Sequence, residues 1–295
     1  MQTKTKCPDC GYADNTGEPC CSLCGRVLNP EKKTIHTPDT RSHTQKPAAR
    51  HPIRIPPPKC LGLPVPVFYL TLGLALTPVF NLTPVLGYMG WFFTSLIHEM
   101  GHTVVAWFFG SPSFPAISLE GHAAACCREQ MVFLSLAMWA GLAIASWQVR
   151  SHRNLCILLG LAALVYPALA FTAARSFLHL LGGHLGELTI AVVFFWRAVT
   201  GGFTHSRLER GLYALLAWHL VVRNAWLCLR LLFSEAGREW YRTSGSFGLT
   251  NDYIRVARDI VGCSLETVAA GMFLVTLMVV PMSLWLGRGA WTEKN

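Results

Sequence analysis

The stretch Ser95-Leu-Ile-His98-Glu99-Met100-Gly101-His102-Thr-Val-Val-Ala-Trp-Phe-Phe-Gly110 decides how the rest of this sequence is read. In a helix, His98 and His102 stand one turn apart on the same face, so both rings can bind one metal ion. Glu99 sits beside that pair, where it can take a proton from a water molecule activated by the metal. On a soluble helix the same pattern can be an accident of the surface. Here it falls within an apolar run from 83 to 109, where every ionisable group is costly and usually functional. The stretch therefore predicts both a metal site and a helix inside a membrane. Gly101 leaves room for a neighbouring helix or a substrate backbone to come close.

The composition agrees with a membrane setting. Of the 295 residues, 52% are hydrophobic and only 14% charged, against about a quarter charged in a soluble domain. Apolar segments lie at 62–80, 83–109, 131–149, 154–174, 178–200, 209–233 and 264–287, each near the roughly 20 residues that a helical span needs. The expected fold is an all-α polytopic membrane protein with seven spans over residues 61–290. Six are expected if Pro64, Pro66, Pro78 and Pro84 make the first segment re-entrant. Trp91, Trp107, Trp139, Trp147, Trp196 and Trp285 are candidates for interfacial anchors. The loop at 110–130 shows no clear strand alternation.

The first 60 residues differ in kind. Cys7-Pro-Asp-Cys10-Gly and Cys21-Ser-Leu-Cys24-Gly are two C-x-x-C-G turns, and four thiolates fill the tetrahedral shell that structural zinc prefers. Residues 1–28 are thus expected to form a zinc ribbon that takes most of its folding energy from Cys7, Cys10, Cys21 and Cys24 binding the metal. Cys20 is a competitor for Cys21. Residues 29–60 lack apolar periodicity, contain Pro56-Pro57-Pro58, and read as a basic tether. Ten basic residues against five acidic ones leave this region at net +5. That charge is assigned to topology and anionic lipid rather than to nucleic acid.

The first apolar run begins only after residue 60, and no cleavable signal peptide is legible. This places the N-terminus in the cytoplasm, in a plasma or bacterial inner membrane. The loops at 110–130, 175–177 and 234–263 then share the cytoplasmic side. Arg238, Arg242, Arg255 and Arg258 obey the positive-inside rule on that assignment, whereas Arg150, Arg153, Arg207 and Arg210 break it.

The motif His98-Glu99-Met100-Gly101-His102 in an apolar span, followed by a loop of small residues and proline from Gly110 to Pro115, resembles the site-2 protease family of intramembrane zinc metalloproteases. The resemblance is specific over about 25 residues. It implies that His98 and His102 are zinc ligands and that Glu99 is the catalytic base. The family's downstream Asn-Pro…Leu-Asp-Gly element, which supplies its third ligand, is not legible. Two regions compete for that role. His184 and Glu187, in Gly182-Gly183-His184-Leu-Gly186-Glu187, share a helix face and enter the membrane to a depth similar to that of His102. Asp252, in Thr250-Asn251-Asp252, lies on the long loop after residue 234, where it also reads as the first turn of a helix capped by Asn251.

His219 and Arg223 are further polar residues in a span, expected to pair with a buried group or to face a hydrated cavity. Cys126, Cys127, Cys156, Cys228 and Cys263 follow no ligand spacing. Together these features suggest a zinc-dependent intramembrane endopeptidase acting on membrane-protein substrates, with one catalytic and one structural zinc. The ribbon would then be the contact for a protein partner. The alternative is a non-catalytic zinc-binding receptor or scaffold that docks partners through the ribbon.

Overall fold

The computed structural model describes residues 5–6, 13–14, 59–60, 63–118, 123–244 and 250–290. The chain divides into two compact units, Met1–Pro52 and Ile53–Asn295. In the first unit two antiparallel strands, β1 (Thr5–Lys6) and β2 (Ala13–Asp14), pair Thr5 with Asp14 and Lys6 with Ala13. The four cysteines of the expected ribbon, and most of the expected tether, lie outside the described residues.

The second unit opens with a short hairpin of β3 (Lys59–Cys60) and β4 (Leu63–Pro64) and is otherwise almost wholly helical. Each of the seven apolar segments forms one helix: α1 (Val65–Leu82), α2 (Pro84–Phe108), α3 (Val132–Gln148), α4 (Arg153–Ala170), α5 (Ala173–Thr200), α6 (Arg207–Phe233) and, after two shorter helices, α9 (Leu265–Leu286). Five of these, α1, α4, α5, α6 and α9, are long and apolar enough to cross a membrane. The other two fall short for different reasons. α3 is apolar but only 17 residues long, and α2 has the length but carries Ser95, His98, Glu99 and His102 in its second half. Large apolar side chains such as Val79, Leu164, Trp226, Leu274 and Met278 are exposed on the outside, as a surface facing lipid requires. The unit is an all-α membrane protein.

The prolines of the first segment mark helix ends more than they break helices. Pro66 sits in the first turn of α1 and Pro84 opens α2, positions where the missing N–H costs nothing. Thr83, held extended before Pro84, is the whole connection between the two. Only Pro78 is internal, and α1 continues through it.

The fifth helix begins earlier than its sequence suggests. Thr172 caps it by accepting from the Ala174 N–H, so 175–177, expected as a loop, is its first turn. At its other end Gly201, with φ +70°, closes the helix in the left-handed conformation. The guanidinium of Arg210 donates to the carbonyls of Ala198 and Val199 at 2.8–3.0 Å and lies over the Tyr69 ring. Arg210, which broke the charge rule, is thus occupied with the unsatisfied carbonyls of a helix end.

α5 and α6 form the centre of the unit, with Phe195, Ala191, Ala217, Leu220 and Leu231 buried between them and α9. The segment after α2 departs from expectation. It forms an antiparallel hairpin, β5 (Ser113–Ile117) with β6 (Ala123–Cys127), pairing Ser113 with Cys127 and Ile117 with Ala123. Alternation is absent because β6 is a run of small residues, Ala123-Ala124-Ala125, laid against α2. Gly110, with φ +78°, makes the turn out of the helix, and Trp107 donates to the Ser113 carbonyl at 2.7 Å.

The long segment between α6 and α9 also folds. It contains α7 (Glu235–Thr243), α8 (Asp252–Arg255) and a π-helical turn (Val256–Val261) that ends at Gly262 in the left-handed conformation. Tyr253, fully buried, anchors α8 against the His184 ring at a centroid distance of 4.4 Å. Asn251 Nδ2 donates to the Tyr241 carbonyl at 2.5 Å.

Candidate metal centre

α2 and α5 cross at glycine. A methyl group added at Gly101 would lie 2.2 Å from the Gly182 carbonyl oxygen. One added at Gly183 would lie 2.5 Å from His98 Nε2 and 2.6 Å from His102 Nε2. Both rings therefore lie directly against the α5 backbone, at a distance no larger residue allows.

Each imidazole is fixed through its Nδ1. His102 Nδ1 lies 2.6 Å from the His179 carbonyl, which can only accept, so His102 carries its proton there. His98 Nδ1 lies 2.6 Å from Glu187 Oε1, and it donates to that carboxylate. The Nε2 lone pairs of both rings are then directed at one point. They are 3.1 Å apart, and Asp252 Oδ2 lies 3.2 Å from the first and 3.1 Å from the second.

Three electron-pair donors in mutual contact repel one another unless a cation, a proton or a metal ion, sits among them. Ligands about 2.0–2.1 Å from a tetrahedral ion are separated by roughly 3.3 Å, close to the spacing seen. His98, His102 and Asp252 therefore form a group able to hold a metal ion.

Behind this group lies a second layer. Asn224 Nδ2 donates to Glu187 Oε2 at 2.5 Å, while its Oδ1 accepts from His184 Nδ1 at 3.0 Å. Glu187 thus has one oxygen on His98 and the other on Asn224. His98, His184 and Glu187 are also close enough to form a metal-binding group, but these hydrogen bonds already occupy the atoms that would bind. Both regions that competed in the sequence reach the site. Asp252 meets the free Nε2 atoms of the pair, whereas Glu187 and His184 stand on the far side of His98.

A cavity of about 280 Å³ opens onto the group. It is lined by His98, Glu99, His102, His184, Glu187 and Asp252, by Arg223, and by Ala123, Ala124 and Ala125 of β6. Glu99 is 7% exposed, and among the described residues its carboxyl hydrogen-bonds no other side chain. It is a carboxylate free to face a small molecule in the cavity.

Of the other polar residues noted in the sequence, His219 Nε2 lies 3.1 Å from the Gly90 carbonyl and 3.0 Å from Thr94 Oγ1, fixing α6 to α2. Arg223, one turn on, lines the cavity. Two contributors were not visible in the sequence. The His179 carbonyl is backbone, and no side-chain pattern marks it. Asn224 is marked only as an uncharged polar residue in an apolar helix, a weaker signal than the charge of Arg223 beside it. No protein-family model, curated protein or solved structure matches this chain.

Proposed function

We propose that the chain is a zinc-dependent intramembrane endopeptidase, with His98, His102 and Asp252 as ligands and Glu99 as catalytic base. The observation that carries this reading is the convergence of three electron pairs on one point, beside a carboxylate facing the same cavity. Two nitrogens and one oxygen suit zinc, and three protein ligands leave a coordination position open, as in catalytic rather than structural sites. Zinc bound there would act as a Lewis acid and supply a nucleophilic water near neutral pH.

The residues of the chain do the rest. Glu99 accepts the proton of the attacking water and returns it to the leaving amine nitrogen as the peptide bond breaks. Glu187 and the His179 carbonyl keep the two imidazoles in the tautomer that presents Nε2. Arg223, a cation in the cavity wall, is placed to steady the negative charge that develops on the scissile carbonyl oxygen.

A membrane substrate hides its carbonyls in helical hydrogen bonds and must unwind before it is cut. Two features suit that need. Among the described residues β6 pairs with β5 alone, so its other edge can add an extended substrate strand. A mostly apolar chamber of about 770 Å³, lined by Leu74, Pro78, Trp226 and Trp240, reaches Thr94, His184 and Glu187. It offers a lateral path for an apolar segment. The motif's resemblance to the site-2 protease family points the same way.

The test is Glu99→Gln, which keeps size and removes the base. Cleavage of a co-expressed membrane substrate should fall by about 10² or more, with bound zinc unchanged. Cleavage at the parental rate would leave the chain a zinc-binding membrane protein without this hydrolytic activity.

A further inference from the structure

A second cavity, of about 150 Å³, lies beside the metal centre at the start of α5. Its polar lining is Arg175, Arg255, His179, Ser111, Ser176 and Cys127, with no Asp or Glu. Among the described residues neither Arg175 nor Arg255 forms an ion pair, and Arg175 Nη1 and His179 Nδ1 are buried with no hydrogen-bond partner. Buried donors of this kind are costly unless something accepts from them. Arg175 also stands in the first turn of α5, a 28-residue helix whose partial positive charge adds to the two guanidiniums.

The location narrows the ligand. α5 is one of the five helices able to cross a membrane and it begins at Ala173. The segments that meet there carry the exposed Trp107, a residue that favours the boundary between lipid and water. Guanidinium forks, hydroxyls and a helix N-terminus together are suited to the oxygens of a phosphate.

We propose that this cavity binds the phosphate of an anionic lipid headgroup. Bound phosphate accepts from Arg175 Nη1 and His179 Nδ1 and neutralises the two guanidiniums. Because the carbonyl of His179 holds His102, the lipid occupies a position next to the metal ligands. The inference does not depend on the proposed hydrolysis.

The test uses the full chain in detergent and native mass spectrometry, with phosphatidic acid, phosphatidylglycerol and phosphatidylcholine as separate probes and inorganic phosphate as competitor. The parent should retain one anionic lipid in preference to phosphatidylcholine. Arg175→Gln and Arg255→Gln should each weaken retention by about tenfold or more, the loss of a charged hydrogen bond. Arg150→Gln, a cation stacked on Trp147, should leave it unchanged. If Arg175→Gln does not accumulate, Ser176→Glu, at an exposed position, places a like charge at the cavity and should lower retention as much. Displacement of lipid by inorganic phosphate would confirm the phosphate as the recognised group. Binding of inorganic phosphate with no lipid retained would overturn the lipid assignment. Equal retention by the parent and the Arg175 and Arg255 variants would overturn the site.

Discussion

The α2–α5 seam and the α3–α4 pair come from sequence of similar apolar character, yet they are built in opposite ways. At the seam the helices touch through Gly101, Gly182, Gly183 and Gly186, and the rings of His98 and His102, with Glu187 and Asn224 behind them, are held by defined hydrogen bonds. In the α3–α4 pair a methyl group added at Gly141 would meet nothing within 4 Å. Polar contacts there include Trp139 to the Ala163 carbonyl at 2.8 Å and Ser146 to the Cys156 carbonyl at 3.1 Å. Leu164 and Trp147 are 76% and 70% exposed. The pair joins the remainder at its inner end, where the Tyr166 hydroxyl donates to the Phe108 carbonyl at 2.7 Å and the Ser135 hydroxyl to the Phe109 carbonyl at 2.9 Å. Apolar character alone therefore does not separate a helix that carries chemistry from one that faces lipid. Glycine at the crossing and the pairing of polar groups do.

The comparison sharpens most at glycine. Gly183→Ala should displace both histidine rings and abolish metal binding at the site, measured as metal content of the purified protein. Gly101→Ala forces the helices apart against a backbone carbonyl and should cost about 1–3 kcal/mol in unfolding experiments. Metal retained at the parental level in Gly183→Ala would mean that the rings lie farther from α5 than described.

Substitutions in the second layer should have a smaller effect. Glu187→Gln and Asn224→Ala leave the ligands in place but remove what orients His98, and metal affinity should fall about 10- to 100-fold. A competitive chelator titration distinguishes that from complete loss. The smallest effect belongs to the α3–α4 pair. Gly141→Ala fills open space and improves helix propensity, so stability should rise by up to about 1 kcal/mol with metal content unchanged.

Much of this was legible in the sequence, for identifiable reasons. The seven helices could be read because apolar run length is a strong signal. His98, Glu99 and His102 could be read because their spacing within one turn fixes their geometry. Asp252, His184 and Glu187 could be named only as alternatives, and all three lie close to His98. The segment after residue 234 reads as a loop outside the helices, whereas it folds back and Tyr253 buries itself against His184. Tertiary return of a loop leaves no periodic trace. The β5–β6 hairpin was missed for a related reason: its small residues pack on α2, so neither face shows alternation. Arg210 has a local task, capping the C-terminal end of α5, that the charge pattern of the sequence does not reveal.

The central claim is that Asp252 completes the metal site and Glu187 supports it from behind. Zinc per chain, measured on the purified full-length protein after removal of loosely bound metal, tests this directly. Asp252→Ala should lose one equivalent relative to the parent, as His98→Ala and His102→Ala should, while Glu187→Gln at saturating zinc should lose none. Parental zinc content in Asp252→Ala, with an equivalent missing in Glu187→Gln, would contradict the account and move the metal to the other side of His98.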